Sequence, residues 1–187
     1  EISACLVGSE MCIRDRDKLK IETFKAVIIT HEHPDHIKGL EDLLKVIPDL
    51  EVYKPKVGKF PVDDYQIQTI KIPHQFVGKS SVLTTAIKID DKLLYAPDFS
   101  DISPLLSEIG KVKLAILDGS IWERNFGGHQ AIKKQLQLLT AHCSLLTEIY
   151  FTHNGHTHLP QQKLEQQLQK IGGKNFHLAY DGFHLKI

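Results

Sequence analysis

The run Thr30-His31-Glu32-His33-Pro34-Asp35-His36 sets three imidazoles and two carboxylates directly behind the apolar stretch Ala26 to Ile29. Neutral imidazole binds borderline cations such as zinc at ~2.0–2.1 Å, and carboxylate oxygen binds at similar lengths, so this density of donors points to a metal site. In an extended segment alternate side chains share a face, which lets His31 and His33 reach one ion together and turns Glu32 away. Asp35 and His36 follow Pro34 and open a helical pattern through Ile37, Leu40, Leu43, Leu44 and Ile47. They can therefore be aimed at a second ion beside the first.

His31-x-His33-x-Asp35-His36 resembles the signature motif of the metallo-β-lactamase superfamily, whose members are mostly dinuclear metal hydrolases. The resemblance implies further ligands from later strand ends. By it, His74, in Ile72-Pro73-His74, is the third ligand of the ion held by His31 and His33. Asp98, in Leu94-Tyr95-Ala96-Pro97-Asp98, is the carboxylate bridging both ions. His153, closing Ile149-Tyr150-Phe151-Thr152-His153, completes the second ion with Asp35 and His36. Two dications at ~3.5–4 Å repel, so a shared carboxylate and hydroxide stabilise the pair. The cofactor expected is two divalent metal ions, zinc first, with manganese and iron also compatible with histidine-rich, thiolate-free ligation.

The segment Leu117-Asp118-Gly119-Ser120-Ile121-Trp122, then Gly128-His129, Phe151-Thr152-His153 and Ala179-Tyr180-Asp181-Gly182, resembles the pyrroloquinoline quinone biosynthesis protein B group. The same order is similar to the cyclic-phosphate phosphodiesterases of phosphonate breakdown. The quinone-biosynthesis proteins depart from the hydrolytic ligand set, which this chain keeps. The resemblance thus implies a metal-dependent hydrolase of a phosphodiester, cyclic ones included, working through a metal-bridging hydroxide whose parent water has its pKa lowered to ~7. Asp35 would orient the nucleophile, and His129 or His156 would assist the departing oxygen. Two other readings stand beside it: a thioester or lactone hydrolase of the same fold, and a non-hydrolytic metal or cofactor-binding protein of the quinone-biosynthesis type.

Around that set, Gly128-His129 is expected to open a helix, where anion contact and plain N-terminal polarity compete. Asp118 and Asp181 each end a strand in an Asp-Gly pair, so a turn role competes with orienting a ligand imidazole. His158 reads as a polar loop residue, Trp122 as core or pocket wall, and His142, His177 and His184 as structural.

Elements that present such loops must alternate. Strands are expected at 26–30, 51–53, 65–72, 82–89, 92–96, 114–117, 149–152, 176–179 and 183–187, and helices at 37–47, 129–140 and 161–171. Asp90-Asp91 reads as a hairpin turn and Gly172-Gly173 as a helix stop. The fold class is α/β, an αββα sandwich by resemblance.

With 187 residues and 42% hydrophobic content, the chain can bury one core. Its 23 basic and 23 acidic residues cancel, leaving no electrostatic footprint for nucleic acid and favouring a small-molecule substrate. No apolar run approaches the ~20 residues of a membrane span, so no membrane association is expected and cytoplasm is the default. Cys5, Cys12 and Cys143 make no disulfide scaffold, and no feature fixes an oligomeric state. Residues 3–16 resemble the conceptual translation of a sequencing adaptor and show no sustained periodicity. Residues 1–16 are accordingly read as a non-native leader, and 17–187 as a domain truncated at its N-terminus, lacking its first strands and leaving a sheet edge unpaired.

Overall fold

Tyr65 to Ile72 forms a strand of 8 residues in which burial alternates at the strand period from Gln66 to Ile70. In the computed structural model, which describes residues 24–74, 83–142, 147–153 and 160–180, this strand is β4. In chain order, β1 is Ala26–Ile28, α1 Pro34–Ile37, α2 Leu40–Val46, β2 Glu51–Tyr53, β3 Gly58–Val62, β5 Thr84–Ile89 and β6 Leu93–Ala96. A turn of 3-10 helix at Ser103–Leu105 leads into α3, Leu106–Ile109; then come β7 Leu114–Asp118, α4 Ile132–His142, β8 Glu148–Thr152, α5 Gln161–Gly172 and β9 Phe176–Leu178.

Seven strands form one sheet in the order β3-β4-β5-β6-β7-β8-β9, antiparallel from β3 to β6 and parallel from β6 to β9. Two reversals bring β4 into the direction of β6, so β4, β6, β7 and β8 all end on the same edge. Loops leaving that edge converge, which is where open α/β sheets place their ligands. A separate two-stranded sheet pairs β1 with β2 in parallel. It is stitched to the large sheet where the carbonyl of Thr30 accepts from the backbone N–H of Thr85 at 2.9 Å.

Helices α4 and α5 cover the large sheet. They bury Ile132, Leu136, Leu139, Leu164 and Leu168 against Leu94, Leu117, Phe151 and Phe176, each such side chain contributing roughly 1.5–3 kcal/mol. Gly172 must be glycine, because an added Cβ would lie 2.7 Å from the Phe176 ring and 2.9 Å from Leu136. Gly173, at φ +101°, then ends α5.

The α/β architecture and most elements match the sequence patterns, with four differences. The span 37–47 is two helices, because the chain bends at Lys38-Gly39 and Gly39 caps α2. Strand β3 escapes the pattern through Lys59 and Pro61; it lies at the sheet edge, where a proline costs no ladder bond. The helical turns over 103–109 are too short to show periodicity. Helix α4, expected from 129, starts at Ile132, which changes the setting of His129. The segment 1–16 read as a leader, Cys143 and the strand expected at 183–187 fall outside the described residues. Among the described residues no helix is long and apolar enough to cross a membrane.

Candidate metal centre

His31 and His33 lie in the extended segment that leaves β1, and both are buried, while Glu32 between them is exposed. His36 follows on α1. His74 and Asp98 each stand two residues beyond their strands β4 and β6, Asp118 closes β7, and His153 follows β8 directly. Shared strand direction therefore brings the ends of β4, β6, β7 and β8 to one place, where they meet the loop that carries His31, His33 and His36. Donor atoms of His31, His33 and His74 lie within 4.8 Å of one another, as do those of His31, His36 and Asp98, and those of Asp98, Asp118 and His129. His31 belongs to the first two groups and Asp98 to the last two, so the three adjoin.

Asp98 is the hub. Its Oδ2 is 2.8 Å from His36 Nε2 and 3.8 Å from His31 Nε2, and its Oδ1 is 3.1 Å from His153 Nδ1 and 3.5 Å from His129 Nδ1. Two donors on one tetrahedral cation stand roughly 3.3 Å apart when bond lengths are near 2.0 Å, so these separations suit shared coordination. His31 Nε2 and Asp98 Oδ2 are buried and have no hydrogen-bond partner in good geometry. A buried polar atom left so costs roughly 1–3 kcal/mol; a cation between them would satisfy both, and the residues present fit one.

The outer nitrogens are tied down. His74 Nδ1 donates to the Gly128 carbonyl at 3.0 Å, which leaves its Nε2 lone pair for the cluster. His31 Nδ1 meets the Thr30 hydroxyl at 3.0 Å. Burial, then repulsion from His36, pushes the His31 imidazole down to about 3, so it is neutral and able to act as a ligand. Burial and His74 lower His33 as well. For Asp98, burial is outweighed by His153 and His36, which hold the carboxyl well below the usual carboxylate range. The same contact with Asp98 raises His153 against its own burial. His153 adopts φ 58°, a left-handed conformation uncommon outside glycine and often found at functional sites.

Asp118 closes a turn and also meets an imidazole, that of His129. Its Oδ1 accepts from the backbone N–H of Ser120 at 2.9 Å and from that residue's hydroxyl, closing a turn, while Oδ2 takes the Nδ1 proton of His129 at 2.8 Å. Burial pulls His129 down, but this bond together with the charges of Asp118 and Asp98 raises it on balance. His129 is not at a helix N-terminus: it pairs with Phe126 in a tight reversal through Gly127 and Gly128, both with positive φ, three residues before α4. The reading of anion contact there gives way to a side chain anchored to Asp118.

Asp35 stands at the rim. Its side chain is 72% exposed, with Oδ2 3.6 Å from His36 Nε2, and it belongs to none of the three donor groups. His156, His158, Asp181 and His184 lie outside the described residues. Trp122 is in the core; His177 bonds Glu148 at 3.0 Å, and His142 bonds the carbonyl of Leu138.

Sequence patterns did not reveal Gln135 and Gln130. Gln135, buried on α4, donates to the carbonyls of Asp118 and Gln130, and Gln130 Oε1 accepts from Ile102 N, fixing the loop that carries His129. Neither residue sits at a strand end, so only the fold discloses them. The polar Gln135 on an otherwise apolar helix face was the one available signal.

The family profile described as metallo-beta-lactamase superfamily matches residues 8–112, more than half of the chain. A curated relative, hydroxyacylglutathione hydrolase 2 of Vibrio vulnificus (strain YJ016), is 37% identical over 46 residues, 25% of this chain and 18% of the relative's own length. Among solved structures, a diphosphatase from the PhnP family superposes with TM-score 0.74 at 18% identity, covering 96% of this chain and 78% of the other. Zinc-bound PqqB from Methylobacterium extorquens superposes with TM-score 0.60 at 16% identity, covering 96% of this chain and 81% of its own.

Proposed function

Because the chain belongs to the metallo-beta-lactamase superfamily, we propose that it is a metal-dependent hydrolase of a phosphodiester, cyclic phosphodiesters included. His31, His33 and His74 would hold one divalent ion, zinc first, and Asp35, His36 and His153 a second, with Asp98 shared. When bound, such ions supply Lewis acidity and a hydroxide nucleophile at neutral pH. The chain's own residues do the rest. Asp35, at the rim beside His36, orients the attacking group. His74 is held in one tautomer and orientation by the Gly128 carbonyl, and His31 is oriented by the Thr30 hydroxyl.

The observation that favours a phosphodiester is the pairing of His129 with Asp118 at 2.8 Å, on the border of the donor cluster. An alkoxide leaving from phosphorus is strongly basic and needs a proton as it departs, whereas a thiolate is a good leaving group without one. Asp118 engages His129 Nδ1 and leaves Nε2 as the atom that can pass a proton outward. The fold likeness to the PhnP-family diphosphatase supports the same reading.

The short match to hydroxyacylglutathione hydrolase supports a second reading, hydrolysis of a thioester or lactone. Parallel assays of the metal-loaded protein on bis-p-nitrophenyl phosphate and on an acyl thioester separate the two. Turnover of the phosphodiester, lost in His33→Ala and Asp98→Ala, is the expected result. Turnover of the thioester alone, or undiminished activity in either variant, overturns the phosphodiesterase assignment.

A further inference from the structure

Phe126 is 76% exposed, yet it stands on one of the most firmly tied turns of the site. Its N–H donates to the His129 carbonyl at 3.2 Å and its carbonyl accepts from the His129 N–H at 2.9 Å. Gly127 and Gly128, at φ 61° and 90°, make the two-residue reversal whose twist suits a hairpin. Phe126 and His129 are therefore directly opposed partners that exchange both hydrogen bonds. Side chains of such a pair project to the same side of the ribbon, with Cα atoms about 5.5 Å apart. His129 uses that side to reach Asp118 and Asp98, so the pairing sets Phe126 on the face of the ribbon that carries His129 toward the cluster.

The backbone of the turn is held on several sides. The Gly128 carbonyl is held by His74, Gln130 N donates to the Phe99 carbonyl at 2.8 Å, and Ala131 N donates to Asn125 Oδ1 at 2.9 Å. Single exposed apolar residues are common on protein surfaces. What distinguishes Phe126 is a fixed backbone, an open ring face and a register that points it where His129 points.

We propose that Phe126 is the specificity-determining contact of this centre, receiving a planar aromatic group carried on the substrate's phosphate ester. This rests on the phosphoester reading above. Ring contact away from the reacting bond is the kind of interaction that selects among substrates sharing one reaction centre, and aromatic pairs prefer the offset or edge-on arrangements that an open ring permits.

Binding of phenylphosphonate and of methylphosphonate to the metal-loaded protein, measured by calorimetry, isolates the contact from turnover. The wild type should bind the phenyl compound about five- to tenfold more tightly. Phe126→Ala should bind both alike, with its methylphosphonate affinity unchanged as the control for folding, and Phe126→Tyr should restore the ratio. A ratio near one in the wild type, a ratio preserved in Phe126→Ala, or no binding of either compound overturns the proposal. Turnover of bis-p-nitrophenyl phosphate on the same preparation reports separately: its absence beside an intact ratio would sink the phosphodiesterase reading and the phosphate ester named here with it, whereas intact turnover beside a lost ratio would sink the Phe126 contact alone.

Discussion

Thr85 donates both its backbone N–H, at 2.9 Å, and its hydroxyl, at 3.1 Å, to the single carbonyl of Thr30. Thr30 immediately precedes His31, so strand β5 of the large sheet fixes the height at which the histidine loop leaves the small sheet. The spacing of the metal donors thus depends on a contact between two residues that carry no metal chemistry.

Thr85→Val keeps the shape and the N–H bond but removes the hydroxyl donor. Loss of one buried hydrogen bond should lower stability by about 0.5–1.5 kcal/mol and weaken zinc binding at the His31 half of the site. Urea denaturation and a competitive zinc titration would measure both. An unchanged zinc affinity would show that the loop holds its height without Thr85.

Asp118→Asn retains an oxygen for the Ser120 turn and removes the charge facing His129 Nδ1. If Asp118 positions that imidazole, kcat should fall roughly 10–100-fold, the range typical of supporting carboxylates behind an active-site histidine, with KM little changed. A stability loss without a fall in kcat would leave Asp118 as a turn residue only.

Lys88 is buried on β5 with Nζ 3.1 Å from Glu108 Oε2 and 2.9 Å from Asp91 Oδ1. Lys111, and then Lys88, hold Glu108 below its ordinary value against burial; Asp91 and Glu108 raise Lys88 despite its burial. A depressed carboxyl stabilises above its unfolded value of about 4.3 and loses that contribution as pH falls through the folded value. A raised lysine stabilises below about 10.4 and loses its contribution as pH rises through the folded value. Glu108→Gln should therefore cost about 1–3 kcal/mol across neutral pH, with the difference from wild type shrinking below pH ~4. A difference that persists undiminished into strong acid would mean the loss is packing rather than charge.

Much of this was legible in the residues. Tyr65–Ile72, Glu51–Tyr53 and the Asp90 reversal follow from alternation and turn chemistry, which are local properties. The histidine run declares itself because one short segment supplies several donors. Where partners come from distant segments, the sequence is silent. Nothing in the spacing of Asp118 and His129 separates a turn residue from an imidazole anchor, since the answer depends on a reversal at Gly127-Gly128 that displaces the helix start to Ile132. Strand β3 was hidden for a related reason: an edge position tolerates Pro61, which a local pattern reads as a break.

The metal content of the purified chain, loaded with zinc, desalted and measured by plasma mass spectrometry beside Asp98→Ala, tests the shared-carboxylate centre most directly. About two equivalents per chain in the wild type, with one or none in Asp98→Ala, is the predicted result. Zinc absent from the wild type, or an equal content in the two proteins, would contradict it.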